Sequence, residues 1–138
     1  MENLHYLLMK ANSMFARKVM YEANKIGLTS GQPKVLYFLS KFKEADQKTI
    51  ANYLEIEPAT VGSILLGMEK SGLIERKQRE GNRRSLYVSL TEKGVEVSNN
   101  MEKIFEDTEN IATDRLSEKD KEKLKKLLIE MCNSLKGV

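Results

Sequence analysis

The sequence predicts a mainly α-helical chain with one small β-hairpin, and three observations lead there. Apolar residues recur at i, i+3, i+4 spacing along most of the 138 residues. Cap and stop residues (Asp46, Pro58, Gly72, Thr91, Ser117) cut those stripes into separate helices. A single alternating stretch, Leu73 to Leu90, interrupts them, with Gly81-Asn82 at its middle as a pair suited to a tight turn. Helices, then two strands, then helices again is the order of a winged helix-turn-helix. It is expected over residues 29–90, with the terminal helices of 1–28 and 91–138 forming a dimerisation region of the same compact chain.

Taken in order, Leu4 to Ala23 is predicted as the first helix, with Leu4, Leu7, Leu8, Ala11, Met14 and Phe15 on one face and Gly27 as its stop. Thr29-Ser30-Gly31-Gln32 matches a capping box, and Pro33 suits the first turn that follows. The second helix then runs to about Phe42, with Val35, Leu36, Leu39 and Phe42 facing inward. Asp46 caps the third helix, whose inward residues are Ile50, Ala51 and Leu54. Glu55–Glu57 make the turn, and Pro58 opens the fourth helix. Val61, Ile64, Leu65 and Met68 are its buried stripe. Ala59, Thr60, Gly62, Ser63, Leu66 and Gly67 lie opposite, and Gly72 ends it. Leu73–Gln78 and Leu86–Leu90 are the two strands. Thr91 caps a helix from Glu92 to Ala112, whose stripe is interrupted by Ser98 and Thr108. Ser117 caps the last one, with Leu124, Leu127, Leu128, Met131, Cys132 and Leu135 in line.

Charge is concentrated rather than large. The formal net charge is +3, with 31% of residues charged and 41% hydrophobic. From Glu75 to Arg84 five residues are basic and two acidic, an excess equal to that of the whole chain. A basic turn on a nearly neutral body suits local contact with phosphate, although charge runs also serve simply to solvate a hairpin. No apolar run is long enough to cross a bilayer. The N-terminus has no signal-like pattern, so a mature, cytoplasmic protein is expected. One cysteine excludes an internal disulfide.

The first and last helices exceed what the central module needs, yet each carries an apolar stripe that must be covered. Pairing with a second copy is the expected solution, through Leu4, Leu7, Leu8, Leu124, Leu127, Leu128, Met131 and Leu135. Such a dimer spaces two reading helices about one DNA turn, ~34 Å, apart on a pseudo-palindrome.

At this point the chain resembles the MarR family of transcription factors. The resemblance rests on Leu28-Thr29, Gln32 and Val35-Leu36; on Gln47-Lys48, Ile50-Ala51 and Leu54; and on Thr60-Val61 with Met68 to Ile74 and Arg76. Most specific is the block Asn82-Arg83-Arg84 followed by Val88 to Gly94. It implies a homodimeric DNA-binding regulator, usually a repressor, whose terminal helices dimerise and which a small ligand or oxidant often releases. Pro58, Ala59, Thr60, Gly62, Ser63 and Gly67 then face the bases. Arg76, Arg79, Asn82, Arg83 and Arg84 form the wing contact, and Gln47 and Lys48 support it. Two departures stand out. The family wing reads Asp-x-Arg where this chain has Asn82-Arg83-Arg84, so Arg84 loses a charged hydrogen-bond partner. The fourth helix offers two glycines and no bidentate arginine or glutamine, so base reading is expected to be thin, with the glycines letting the backbone approach DNA.

Other chemistries find little support. No nucleophile–base pair, phosphate loop or carboxylate constellation appears, so an enzyme is not expected. His5 and Cys132 are too far apart in sequence to suggest a metal site, and no cofactor is expected. Cys132 reads as a packed thiol rather than a sensor. Met14, Phe15, Tyr37, Phe38 and Met101 are either core or the lining of an effector cleft. The alternative function is a winged-helix protein-interaction module without sequence-specific DNA binding.

Overall fold

The computed structural model describes the backbone of residues 1–79 and 82–137, and the side chains of 1–78 and 86–137. Its elements are α1 (Leu4–Lys25), α2 (Gln32–Phe42), β1 (Glu44–Asp46), α3 (Gln47–Leu54), α4 (Pro58–Lys70), β2 (Ile74–Arg79), β3 (Asn82–Leu90), α5 (Glu92–Ala112) and α6 (Glu118–Leu135). The predicted capping residues act at most of the boundaries. Asp46 accepts from Thr49 N at 2.9 Å, Thr91 from Gly94 N at 3.0 Å and Ser117 from Asp120 N at 3.1 Å. Gly27 and Gly72 take φ of 82° and 78°, which lets the chain turn back on the helix it leaves. Leu73 N then reaches Met68 O at 2.9 Å and Gly72 N reaches Glu69 O at 3.0 Å, the paired bonds of a Schellman motif. The entry to α2 is half of the expected box. Thr29 N donates to Gln32 Oε1 at 3.1 Å, but the N-cap position itself is Gly31, with φ 85°.

One strand was not expected. β1 pairs with β3 in register Ala45↔Val88, giving an antiparallel sheet of order β1-β3-β2 rather than a bare hairpin. Three residues carry no readable alternation, so pairing with β3 is what makes them a strand. β2 pairs with β3 from Ile74↔Leu90 to Arg79↔Asn82, with a register irregularity between Gln78 and Arg79.

The core joins α2, α3, α4 and the sheet. Leu36, Leu39, Ile50, Leu65, Met68 and Val88 are among its fully buried side chains. Val19 and Ala23 of α1 and Met101 of α5 extend it toward the terminal helices. Each such side chain contributes roughly 1.5–3 kcal/mol by leaving water.

Two expectations, for Phe42 and Cys132, are corrected. Phe42 is 44% exposed, because it closes α2 and packs sideways on Phe38 and Tyr53, with centroids 4.8 and 4.9 Å away; Phe38 takes the inward place. Ser98 and Thr108 are both buried, as their place on the α5 stripe predicts, and Thr108 satisfies its hydroxyl on Ile104 O at 2.7 Å. Cys132 is exposed rather than packed in this single chain, because α6 buries none of its side chains.

Candidate nucleic-acid interface

The outer side of α4 is the first part of the site. Pro58, Ala59, Thr60 and Ser63 are exposed there, and Leu66 is exposed at the far end of the same side. Ser63 Oγ rests on Ala59 O at 3.4 Å, a weak bond that leaves the hydroxyl able to turn outward. Each of the two glycines has a glutamine for a neighbour. A Cβ on Gly62 would lie 2.9 Å from Gln47 Nε2, and one on Gly67 would lie 3.4 Å from Gln32 Nε2. Gly62 therefore makes room for Gln47 where α3 crosses α4, whereas a methyl at Gly67 would only touch the end of the Gln32 side chain. Gln47 is held in that crossing, donating from Nε2 to Pro58 O at 2.9 Å, while Lys48 beside it is exposed. Gln47 thus fixes the entry angle of α4.

The hairpin is the second part. Arg76 lies at its base, 3.7 Å from Glu69 Oε2 on α4, with its Nε buried and without a hydrogen-bond partner among the described residues. It props the hairpin against α4. The side chains of Arg79, Asn82, Arg83 and Arg84, on which the wing contact was expected, lie outside the described residues, as do Glu80 and Gly81 of the turn.

A third feature was missed in the sequence. Thr91 Oγ1 donates to Gly72 O at 2.6 Å, Thr91 N donates to Leu73 O at 3.1 Å and Lys93 Nζ reaches Ser71 O at 2.8 Å. Gly94 packs so closely on Leu73 O that no side chain fits. The Thr91–Gly94 block therefore clamps the end of α4 to the start of α5. Its spacing was visible, but a cap motif does not announce a second partner nineteen residues away.

Charge perturbations are few. Asp46 is held below the usual carboxylate range by hydrogen bonds from Thr49, its side chain first and its amide next. Lys41 is raised, chiefly by its hydrogen bond to the Tyr53 hydroxyl at 3.3 Å and by the charges of Tyr37 and Tyr53.

Between α2, the end of β3 and α5 lies a cavity of about 640 Å³. Tyr37 and Met101 line it as anticipated. Phe38 is instead in the core, Phe15 packs on the core and Met14 stands exposed on α1. Among the described residues no acidic, histidine or cysteine cluster could hold a metal ion, and no helix is long and apolar enough to cross a membrane.

A helical core closed by a small antiparallel sheet, with an exposed helix and a hairpin side by side, defines a winged helix-turn-helix protein. The family model described as the MarR family matches residues 28–86, from the loop after α1 into β3. The chain is 34% identical over 79 residues to the uncharacterized HTH-type transcriptional regulator YwoH of Bacillus subtilis, covering 57% of this chain and 58% of that protein. It thus spans less than two thirds of that relative's length. The whole fold is similar to that of S. aureus MepR in a DNA complex, with TM-score 0.87, 24% identity and coverage of 97% of this chain and 99% of the other. The transcriptional repressor CouR bound to a 23-mer DNA duplex gives TM-score 0.85 and 25% identity, over 94% of this chain and 92% of the other. Residues 28–86 thus match the MarR family, and the fold of the whole chain is similar to that of solved MarR-type regulators.

Proposed function

We propose that this protein is a cytoplasmic, homodimeric, sequence-specific DNA-binding repressor that a small ligand releases from its operator. The observation that carries the reading is the exposed, small and polar outer side of α4 beside a hairpin rich in arginine. Thr60 and Ser63 offer hydroxyls to base edges, and Ala59 offers a methyl to thymine. Arg79, Arg83 and Arg84 supply charge to phosphate or to a narrow minor groove. The structurally similar MepR and CouR were both captured on DNA.

The dimer accounts for the terminal helices. Leu4, Leu7, Leu8, Leu124, Leu127, Leu128 and Leu135 are all exposed in the single chain, and Met131 is half-buried. So many leucines on two helices make a patch that soluble proteins ordinarily cover. Cys132 lies among them and becomes a packed thiol once the partner is in place. The cavity against α5 is the effector site in this reading. It touches α5, which joins the DNA-reading part to the terminal helices, so filling it alters the spacing of the two reading helices.

The test combines sedimentation with binding. The wild-type chain sediments as a dimer, and Arg84→Ala weakens DNA binding at matched salt while the melting curve stays unchanged. A monomer at micromolar concentration, or full affinity in Arg84→Ala, would remove the dimer or the wing from this account. The second reading, a protein-interaction module, draws on the absence of any bidentate base reader on the outer side of α4.

A further inference from the structure

The cavity lining is charged almost entirely one way. Its apolar wall is made by Leu39, Leu90, Val95 and Met101, with the rings of Tyr37 and Phe105 meeting edge to face at 6.3 Å. Glu102, Glu106 and Glu109 line the α5 side, at a spacing that keeps all three on one face of the helix. None of the three has an ion pair among the described residues. Lys43 is the one cation among the described lining residues, and its Nζ donates to Ser40 O at 3.1 Å. Ser98 lines the same cavity and is only 5% exposed.

We propose that this cavity binds an amphipathic organic cation, with an aromatic or aliphatic body bearing a protonated amine or quaternary ammonium. The identification of the cavity as the effector site rests on the function proposed above; the charge class of its ligand rests on the lining. Unpaired carboxylates beside a low-dielectric wall focus a negative potential into the space between them. Tyr37 and Phe105 add aromatic surface to this wall, and the Tyr37 ring already holds Lys41 Nζ at 6.0 Å from its centroid. Ser98 Oγ accepts from an ammonium N–H or donates to a ligand oxygen. An anionic ligand of the same shape meets three repelling carboxylates and one lysine.

The test uses two probes of near-identical shape and opposite charge, tetraphenylphosphonium and tetraphenylborate. Equilibrium dialysis against the full chain is expected to show the cation binding at least about tenfold more tightly. The variant Glu102→Gln/Glu106→Gln/Glu109→Gln abolishes the preference. The variant Glu118→Gln/Glu122→Gln/Glu130→Gln, with the same change of net charge on α6, keeps it. All six positions are exposed, and circular dichroism verifies folding of both variants. Equal or tighter binding of tetraphenylborate overturns the inference. So does a preference that survives in the cavity variant or disappears in the α6 variant. Release from DNA separates the two layers. A cation that binds by these carboxylates yet leaves the protein on DNA upholds the ligand class and rejects the effector reading. Release by ligands of either charge does the reverse.

Discussion

Replacing Thr91 by alanine should loosen the joint between the DNA-reading part and α5, and the structure sets the size of the effect. Thr91 Oγ1 makes two bonds at once, accepting from Gly94 N at 3.0 Å and donating to Gly72 O at 2.6 Å. Loss of an N-cap costs about 1 kcal/mol. Loss of the second bond adds about 0.5–1.5 kcal/mol, because Gly72 O is then left to whatever water can reach it. The sum is about 1.5–2.5 kcal/mol. The backbone bond from Thr91 N to Leu73 O survives the change, so the fold persists. Thr91→Ser keeps both side-chain bonds and should lie within about 0.5 kcal/mol of wild type. Urea titration at fixed protein concentration is the assay, because oligomerisation makes stability concentration-dependent. An unchanged slope with a lowered midpoint for alanine, and little change for serine, is expected. Alanine within 0.5 kcal/mol of wild type, or serine as damaging as alanine, would refute the argument that this hydroxyl joins two elements.

Leu65→Ala removes a fully buried side chain and is expected to cost about 2–5 kcal/mol, read from the same titration. Gly67→Ala and Gly94→Ala should diverge. The first meets only the Gln32 amide and stabilises α4 by up to about 1 kcal/mol; the second drives a methyl into the Leu73 carbonyl and leaves little folded protein by thermal melt. Asp46→Ala should cost about 1 kcal/mol near neutral pH, whereas Asp46→Asn keeps most of the cap. Because the folded carboxyl is held below its ordinary value of 3.8, the ionised cap contributes fully above that value and is lost as pH falls through the lower folded one. The gap between Asp46→Ala and wild type should therefore narrow in acid; a gap that widens would contradict the capping geometry.

The helices were largely legible because their ends carry chemistry. Thr91 and Ser117 set the starts of α5 and α6, and Gly72 the end of α4, through bonds local to the sequence, while Pro58 starts α4 by its fixed φ. The misreadings share the opposite origin. β1 exists only through β3, and Phe42 turns sideways onto Tyr53 of another helix. The glycines of α4 show the same dependence. Their neighbours are Gln47 and Gln32, residues whose positions only the assembled helix crossings determine. The three glutamates of the cavity were readable as one face of α5. That this face borders a space shared with Tyr37 and Leu90 was not.

The most direct measurement is the affinity of the purified chain for DNA upstream of its own gene, taken at two salt concentrations with unrelated competitor DNA present. If α4 and the hairpin read an operator as a pair, binding survives the competitor. It also falls steeply with salt, by a slope near −0.9 for each phosphate contacted. Binding that any DNA removes, or that is indifferent to salt, would contradict the account and favour a protein partner for the same face.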